Sequence, residues 1–223
     1  MTQEVVSIYE GEKITVTYDR RRCIHAAECG RSGSPVFDIT QDPWVDPNLA
    51  DVESIVRIIH RCPTAALTYQ RKDGGPEEPA PERNTITVSP NGPFYIRGQV
   101  QIVRPDGTEI SREYRVALCR CGASKHKPIC DNGHLEAGFK DLGPINADSD
   151  PAQTLEAGAL KITVRKDGPL HVQGPVTVYA GNGREAMRAT ELWFCRCGSS
   201  QNKPFCDGTH KKIGFRPDTE AAG

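Results

Sequence analysis

The chain has 223 residues, a formal net charge of −1 and 37% hydrophobic residues. This length suits two or three small domains, and the near-neutral charge gives no basic surface of the kind that binds nucleic acid or anionic membranes. No apolar run approaches the roughly 20 residues that span a bilayer, and the first residues lack the features of a signal peptide. We therefore expect a cytoplasmic protein with no nucleic-acid partner and no membrane anchor.

Cysteine usage is the strongest signal in the composition. The nine cysteines fall into three sets of three, which are Cys23, Cys29 and Cys62; Cys119, Cys121 and Cys130; and Cys195, Cys197 and Cys206. An odd number argues against a complete disulfide framework. In a reducing compartment, sets of this kind are more often metal ligands than disulfides.

The first predicted domain, residues 1–72, contains strands. Alternation of apolar and polar residues over 13–18 predicts a half-buried strand, and a short second strand is predicted over 35–39. A further strand over 66–69 is expected to return beside the first.

A helix is predicted from about Leu49, because apolar residues recur at helical spacing at Val52, Ile55, Val56 and Ile59. Asn48 is the expected N-cap, with Asp51 in the first turn. The helix should end at Cys62, because Pro63 disfavours helical geometry in the residue before it.

The first cysteine set has the spacing C-x5-C … C-P. A bacterial ferredoxin site reads C-x2-C-x2-C … C-P, so Ala26 stands where the middle cysteine would be. The domain resembles the small single-cluster ferredoxins that lack this cysteine. The resemblance implies a 3Fe–4S cluster on Cys23, Cys29 and Cys62. A 4Fe–4S cluster with water or a nearby side chain at its fourth iron is the alternative.

Two histidines are candidates for that fourth ligand. His25 lies one residue from the vacant position, and His60 lies in the last helical turn, where a histidine also suits the helix dipole. For both, a role away from the metal is favoured. A further alternative is that the three cysteines bind nothing and are buried as small hydrophobic residues.

A linker and an internal repeat follow. Residues 73–84 are rich in Pro, Gly and Glu and predict a semi-extended linker. A shift of 76 positions then superimposes 85–140 on 161–216, with 141–160 as a connector too polar for the core and 217–223 as a tail. Asn-Gly and Asp-Gly pairs favour tight hairpins, so each repeat is predicted to be a small antiparallel sheet that leads into one cysteine-rich motif.

That motif reads C-x-C-x8-C-x3-H in both repeats, with ligand candidates Cys119, Cys121, Cys130 and His134, and Cys195, Cys197, Cys206 and His210. Side chains two apart in an extended segment point the same way, so the first two cysteines can bind one metal atom together. The third cysteine and the histidine are four apart and can bind a second atom from one face of a helical turn. Asp207 and Gly208 suit the start of that turn.

This motif resembles the signature of the CDGSH iron–sulfur family, to which mitoNEET-type proteins belong. The resemblance implies one 2Fe–2S cluster per motif, with the first two cysteines on the inner iron and the third cysteine and the histidine on the outer one. Family members are homodimers with interlocked strands. Two motifs in one chain therefore imply that the repeats form the β-cap as an intramolecular pseudo-dimer, so that a monomer needs no second chain. The expected fold class is α+β, a small ferredoxin-like domain followed by two mostly-β CDGSH repeats.

Structural zinc is the main alternative for the two repeated motifs. Zinc sites usually show C-x2–4-C rather than C-x-C spacing, and the match to the family also includes residues that are not ligands. The first motif departs from the family pattern, because Asn132 stands where the second has Gly208. Asn tolerates left-handed geometry and can replace glycine there.

Four further side chains and one segment carry weaker signals. Residues 181–186 superficially match a dinucleotide-binding fingerprint, but no βαβ unit surrounds them and we expect a hairpin turn. His126 and His171 are expected to be surface side chains. Trp193 and Phe194 are expected to pack in the β-cap rather than relay electrons.

The sequence thus predicts an iron–sulfur protein that is not an enzyme, because it shows no nucleophile–base pair, phosphate loop or flavin site. Electron transfer with a redox partner protein is the expected function. The alternative is cluster transfer to an apo iron–sulfur acceptor, or pH and redox sensing, because a histidine ligand must be unprotonated to bind iron.

Overall fold

The computed structural model describes residues 5–146 and 155–217. The chain divides into two compact units between Pro79 and Ala80, within the predicted linker. Residues 147–154 of the predicted connector and 218–223 of the predicted tail lie outside the described residues. Among the described helices, none is long and apolar enough to cross a membrane.

The N-terminal unit is built on an antiparallel sheet in the order β1-β2-β3. Its strands are β1 (Val6–Glu10), β2 (Ile14–Asp19) and β3 (Leu67–Arg71). The predicted return strand is confirmed, because β3 lies beside β2. The sequence does not predict β1, whose residues are all exposed or half-buried and therefore lack a strong apolar alternation.

Helix α1 (Val52–Arg61) contacts β3 and buries the apolar face that its spacing predicts. The predicted end is confirmed, because Cys62 has extended geometry and caps the helix. The side chains of this face join those of β2 and β3 in the core of the unit, and Cys29 and Cys62 pack against this core.

The predicted start of α1 is wrong. Asp51, not Asn48, is the N-cap, and its carboxylate accepts a hydrogen bond from the Ser54 N–H at 2.9 Å. The reason is local, because the Asp46 carboxylate accepts a hydrogen bond from the Asn48 N–H at 2.9 Å and holds that residue in a turn before the helix.

The strand predicted over 35–39 is also wrong. Only an isolated bridge joins Phe37 to Val45. The Asp38 carboxylate accepts a hydrogen bond from the Thr40 N–H at 2.9 Å and turns the chain, which leaves Ile39 82% exposed. A side chain that caps its own backbone thus ends the extended segment after one bridge.

The second unit is mostly β, with two helical turns. Its strands are β4 (Thr85–Val88), β5 (Phe94–Val103), β6 (Glu109–Leu118), β7 (Leu160–Val164), β8 (Leu170–Tyr179) and β9 (Glu185–Phe194). The turns are α2 (Gly133–Glu136) and α3 (Thr209–Lys212). The hairpin expected at 181–186 is confirmed as the connection between β8 and β9.

The short strands join the two repeats into one six-stranded sheet. Strand β4 is antiparallel to β5 and parallel to β8, while β7 is antiparallel to β8 and parallel to β5. The registers obey the same 76-residue shift, because Ile86 lies opposite Val178 and Ile162 lies opposite Ile102. Each short strand therefore bridges its own hairpin and that of the other repeat.

One core of aliphatic and phenyl side chains serves both repeats. Ile145, in the predicted connector, is 3% exposed and belongs to this core. The expectation that the connector is too polar for the core is therefore wrong at this residue. Strand β7 also begins at Leu160, the last residue of that connector.

Candidate metal centres

The first two cysteines of each motif extend directly from the second long strand of a hairpin. The Sγ atoms of Cys119 and Cys121 lie 3.7 Å apart, and those of Cys195 and Cys197 also lie 3.7 Å apart. Extended backbone places the side chains of alternate residues on one side, so both pairs face together as the sequence predicts.

The third cysteine and the histidine form a second pair in each motif. Sγ of Cys130 lies 3.6 Å from Nδ1 of His134, and Sγ of Cys206 lies 3.4 Å from Nδ1 of His210. The histidines lie on α2 and α3, whose first turn brings them back over the cysteine.

These pairs have the spacing that one tetrahedral metal atom requires. Metal–sulfur bonds of about 2.3 Å and metal–nitrogen bonds of about 2.0 Å place two tetrahedral ligands roughly 3.5–3.8 Å apart. Among the described residues, no group of three or more His, Cys, Asp or Glu side chains is placed so that it could hold one metal ion. Each motif thus contains two donor pairs, and the separation within each pair fits two ligands of one metal atom.

The two thiols of each C-x-C pair have pKa values shifted in opposite directions. A hydrogen bond from Cys121 lowers the pKa of Cys119, and the same bond raises the pKa of Cys121. The Cys195 and Cys197 pair shows the same opposite shifts for the same reason. Two adjacent thiolates in a buried site need a bound cation to neutralise them, which is the charge an iron centre supplies.

The outer donors are also perturbed by burial. Burial raises the pKa of Cys130 to about 12 and raises that of Cys206. Burial lowers the pKa of His134 and of His210, which favours the neutral imidazole that can bind a metal.

A buried arginine between the first two cysteines anchors each motif. The Arg120 guanidinium donates to the carbonyls of Gly92 (3.0 Å) and Ser89 (2.7 Å) and pairs with Asp141 at 2.5 Å. It also lies over the ring of Phe139, 4.9 Å from its centroid. These contacts tie the cysteine loop to the turn between β4 and β5.

Arg196 repeats this arrangement in the second motif. Its guanidinium donates to the carbonyls of Gly168 (2.8 Å) and Arg165 (2.6 Å), and it lies 5.5 Å from the centroid of Phe215. The carbonyl and phenyl partners of the two arginines are related by the 76-residue shift, so the non-ligand matches between motifs have a structural role. The position of Asp141 corresponds to Pro217 in the second repeat, so the carboxylate partner is particular to the first motif.

The aspartate after the third cysteine closes each loop. Asp131 accepts hydrogen bonds from the N–H groups of Lys125 (2.7 Å) and Gly133 (3.0 Å). The next residue is left-handed in both motifs, with φ of 70° at Asn132 and 84° at Gly208. The prediction that Asn132 replaces glycine in this conformation is confirmed.

The two cysteine loops touch each other across the repeat boundary. A Cβ atom on Gly122 would lie 2.5 Å from the carbonyl oxygen of Cys197, and one on Gly198 would lie 2.3 Å from that of Cys121. Both glycines have positive φ, of 80° and 79°. The sequence does not predict this contact, in which each loop packs against the backbone of a candidate ligand in the other.

The three N-terminal cysteines surround one small cavity. Cys23, Cys29 and Cys62 line a space of about 40 Å³, together with Ala26, which occupies the vacant position of the ferredoxin pattern. The other walls are mainly apolar and include Tyr18, Ile24, Trp44, Pro63 and Leu67. Burial raises the pKa of Cys29 and, together with a hydrogen bond to Cys23, that of Tyr18.

The backbone around this cavity is strained. His25, Ala27 and Ala65 have φ of 53°, 62° and 51°, a conformation that non-glycine residues rarely adopt. All three lie within three residues of a candidate ligand. Strain of about 1–3 kcal/mol per residue persists where surrounding structure requires it, and it is concentrated at binding sites. The sequence gives no signal for these conformations.

Neither N-terminal histidine lines the cavity. His25 is exposed at the surface, and Nε2 of His60 lies 3.1 Å from the Tyr69 hydroxyl. Their expected roles away from the metal agree with these positions. Thr64, which the sequence does not single out, lies 3.7 Å from Sγ of Cys62.

The expectations for the second motif are met only in part. The His171 side chain is 12% exposed, because its ring stacks on Trp193 at 3.8 Å and its Nε2 lies 2.7 Å from Glu191. Trp193 is 40% exposed, whereas Phe194 is fully buried in the core. Alternation along β9 sends these neighbours to opposite faces, so only Phe194 packs as expected.

Models of two protein families match the chain, one over the N-terminal unit and one over both repeats. A model of the family described as divergent 4Fe-4S mono-cluster matches residues 9–72. A model described as iron-binding zinc finger CDGSH type matches 91–135 and 167–211, two ranges that differ by the same 76 residues. No solved structure matches the chain.

Relatives of the N-terminal unit occur in Escherichia coli. The uncharacterized protein YjdI of strain K12 and that of strain O157:H7 are each 38% identical over 64 residues, which is 29% of this chain and 84% of each relative. The chain therefore belongs to the divergent 4Fe-4S mono-cluster family through its N-terminal unit, and it is an iron–sulfur protein that joins this domain to two CDGSH-type motifs.

Proposed function

We propose that the protein is an electron carrier with two 2Fe–2S clusters, each held by three cysteines and one histidine, and a third cluster in the N-terminal unit. The observation that carries the proposal is the division of each motif into two donor pairs, 3.4–3.7 Å apart within a pair. A binuclear cluster needs two such pairs, whereas structural zinc needs four donors around one atom.

The proposed ligands are Cys119, Cys121, Cys130 and His134 in the first motif and Cys195, Cys197, Cys206 and His210 in the second. When bound, each cluster accepts and releases one electron. The chain's own contribution is to keep the histidine neutral by burial and to aim backbone N–H groups at sulfur, as Ala123 does toward Cys121 at 3.4 Å. A neutral imidazole in place of a thiolate reduces the negative charge at the site and should raise its potential.

The single chain should be sufficient for this arrangement. Each short strand bridges both hairpins, so the two repeats supply the interlocked sheet that CDGSH homodimers form from two chains. We infer an intramolecular β-cap pseudo-dimer and a monomer in solution. The pairing also leaves fewer exposed strand edges at which a second chain could add.

The N-terminal unit is proposed to be ferredoxin-like and to hold a 3Fe–4S cluster on Cys23, Cys29 and Cys62. Ala26 in the cavity wall supplies no thiolate for a fourth iron. A 4Fe–4S cluster with a non-cysteine ligand is the alternative, and the description of the matching family names this type. We propose that the unit is an entry or exit point for electrons and that the protein itself is not an enzyme.

Cluster transfer or pH sensing is the second candidate. It is favoured by the positions of Cys206 and His210, which are only half-buried, so that water and an acceptor can reach the outer iron. Protonation of the histidine would compete with the metal, and acid should then release the cluster.

Spectroscopy and transfer assays test both candidates. Purified protein should be coloured and contain iron and sulfide; a colourless protein that contains zinc would contradict the proposal. An oxidised 3Fe–4S cluster gives an electron paramagnetic resonance signal, while oxidised 2Fe–2S and 4Fe–4S clusters are silent. Incubation with an apo-ferredoxin separates the functions, because reversible reduction with clusters retained favours electron transfer and movement of colour to the acceptor favours delivery.

A further inference from the structure

The two motifs have the same ligands but different surfaces. After its histidine, α2 presents Leu135 and Glu136, whereas α3 presents Lys211 and Lys212 at the corresponding positions. All four of these side chains are exposed. The helical turn of the first motif thus carries an apolar and an acidic side chain after its histidine, where that of the second carries two basic ones.

The second motif is also the more accessible of the two. Cys130 and His134 are 2% and 9% exposed, so solvent barely reaches the outer pair of the first motif. Cys206 and His210 are half-buried. Lys211 directly follows His210 in α3, so its charge is carried by the same helical turn as an accessible donor.

An exposed aromatic residue is hydrogen-bonded through its backbone to the accessible pair. The carbonyl of Trp193 accepts a hydrogen bond from the Cys206 N–H at 2.8 Å, so the backbone of Trp193 lies next to that of an outer candidate ligand. The indole is stacked on His171 with an interplanar angle of 7°, and the imidazole is held by Glu191. The Trp193 ring is therefore partly exposed, and its contacts with His171 hold it in one orientation.

The first motif lacks this surface. Ala117 occupies the position of Trp193, is fully buried, and has Tyr95 opposite it in the hairpin. Its carbonyl makes the same hydrogen bond, to the Cys130 N–H at 2.9 Å. The two repeats thus share this backbone hydrogen bond. They differ in the side chain at this position, which is a buried alanine in the first repeat and an exposed tryptophan in the second.

We propose that Trp193, Lys211 and Lys212 form the docking surface for a small electron-transfer protein with an acidic patch around its own redox centre. We call these three residues the Trp193 face. The proposal rests on the proposed function and adds that electrons enter or leave through the second motif. Transfer moves one electron, so the partner's centre is oxidised by one electron as the second motif's centre is reduced, or the reverse, and no bond is formed or broken.

The chemistry of the partner follows from the charges and the aromatic anchor. Opposite charges speed the encounter of two proteins, and electron-transfer complexes are small interfaces that separate quickly. Aromatic side chains supply most of the binding energy at the centre of such interfaces. The paired lysines select an acidic partner over a basic one, and the exposed tryptophan supplies the contact that survives high salt.

The test compares matched charge reversals in the full-length holoprotein. The probe is a plant-type 2Fe–2S ferredoxin with an acidic surface, and both proteins are oxidised so that binding is measured without electron transfer. Lys211→Glu with Lys212→Glu should weaken binding about tenfold at low ionic strength. The control, Lys125→Glu with Lys140→Glu, reverses two exposed lysines at the first motif and should change binding less than twofold.

Salt separates the two parts of the Trp193 face. The effect of the lysine reversals should disappear above roughly 0.5 M salt, because screening removes the contribution of exposed charges. Trp193→Ala should weaken binding at both low and high salt. Visible spectra of all variants should match wild type, and so should the melting temperatures of the lysine variants, because both lysines are exposed. Trp193→Ala should melt slightly lower, because it removes the cross-strand stack with His171.

Three outcomes would overturn the docking proposal. The first is an equal loss of binding affinity when either lysine pair is reversed. The second is that the wild type does not bind the acidic ferredoxin. The third is that the protein dimerises as its concentration rises and that Trp193→Ala removes this dimerisation. The proposed function fails separately: if the acidic ferredoxin binds but its reduced form passes no electrons, docking is supported and electron carriage is not. If electrons pass equally well to the Lys211 and Lys212 variant, carriage is supported and docking is not.

Discussion

The contact between the two cysteine loops predicts that a substitution in one repeat weakens the centre of the other. Gly198 belongs to the second motif, but its missing side chain faces Cys121 of the first. In Gly198→Ala, the new Cβ would lie 2.3 Å from the Cys121 carbonyl oxygen and 2.7 Å from its carbon. These are backbone atoms, so no side-chain rotation can relieve the clash.

The cost of this change has two parts. A left-handed conformation costs an alanine roughly 1–2 kcal/mol. The clash adds to this, because ordinary contacts need about 3.5 Å and one backbone must move by about 1 Å; overpacking of this kind costs roughly 1–3 kcal/mol. We therefore expect Gly198→Ala to lower the free energy of unfolding by about 2–5 kcal/mol and to displace Cys121.

Gly183→Ala is the matched control. Gly183 has φ of 80°, and nothing lies within 4 Å of its Cβ position, so only the conformational cost of about 1–2 kcal/mol remains. Denaturant unfolding of the holoprotein measures both variants. Native mass spectrometry in a His210→Ala background, which weakens the second site, counts the cluster left in the first. Equal destabilisation by the two alanines, with the first cluster retained, would refute the cross-repeat contact.

Three further predictions concern single residues. Asp141→Ala should lower the free energy of unfolding by about 3 kcal/mol in a denaturant titration, because it leaves the fully buried guanidinium of Arg120 without its carboxylate; an unchanged midpoint would contradict this. His210→Cys should slow acid-driven loss of colour and lower the redox midpoint. Burial lowers the pKa of His210 in the folded protein. The neutral imidazole therefore contributes stability at pH values above the pKa of the unfolded state, and this stability is lost as the pH falls through the lower pKa of the folded state. An unchanged rate of colour loss at acid pH and an unchanged redox midpoint would reject the ligand assignment. Asn132→Gly should preserve cluster binding and raise the melting temperature slightly, because glycine adopts the left-handed conformation without a side-chain penalty; a lower melting temperature would show that the asparagine side chain has a stabilising role.

Much of the second unit could be predicted because its signals are local. The spacing of cysteines and histidine along an extended segment and a helical turn determines which donors can meet, and the structure brings those pairs together. The 76-residue repeat predicts two hairpins of equal design, and the bounds of β5 and β8 follow the same shift. The left-handed turn at Asn132 follows from the chemistry of one side chain.

The errors in the N-terminal unit also have a local cause. The predicted N-cap at Asn48 and the predicted strand over 35–39 fail because nearby carboxylates, those of Asp46 and Asp38, bind backbone N–H groups first. Several caps and turns were chemically possible in these segments. Periodicity detects an element but does not choose among competing hydrogen-bond acceptors that lie within a few residues of each other.

The candidate ligand types and their pairing follow from the sequence, because they depend on residues only a few positions apart, and the repeat follows from one pattern that recurs after 76 residues. The pairing of the repeats through β4 and β7, the requirement for glycine at Gly122 and Gly198 and the greater exposure of the second motif are properties of the folded chain. These features depend on contacts between segments 60 to 92 residues apart in the chain, where no periodic pattern records which backbones meet. The outward face of Trp193 is likewise a property of the assembled sheet, and it distinguishes two motifs that are nearly the same in sequence.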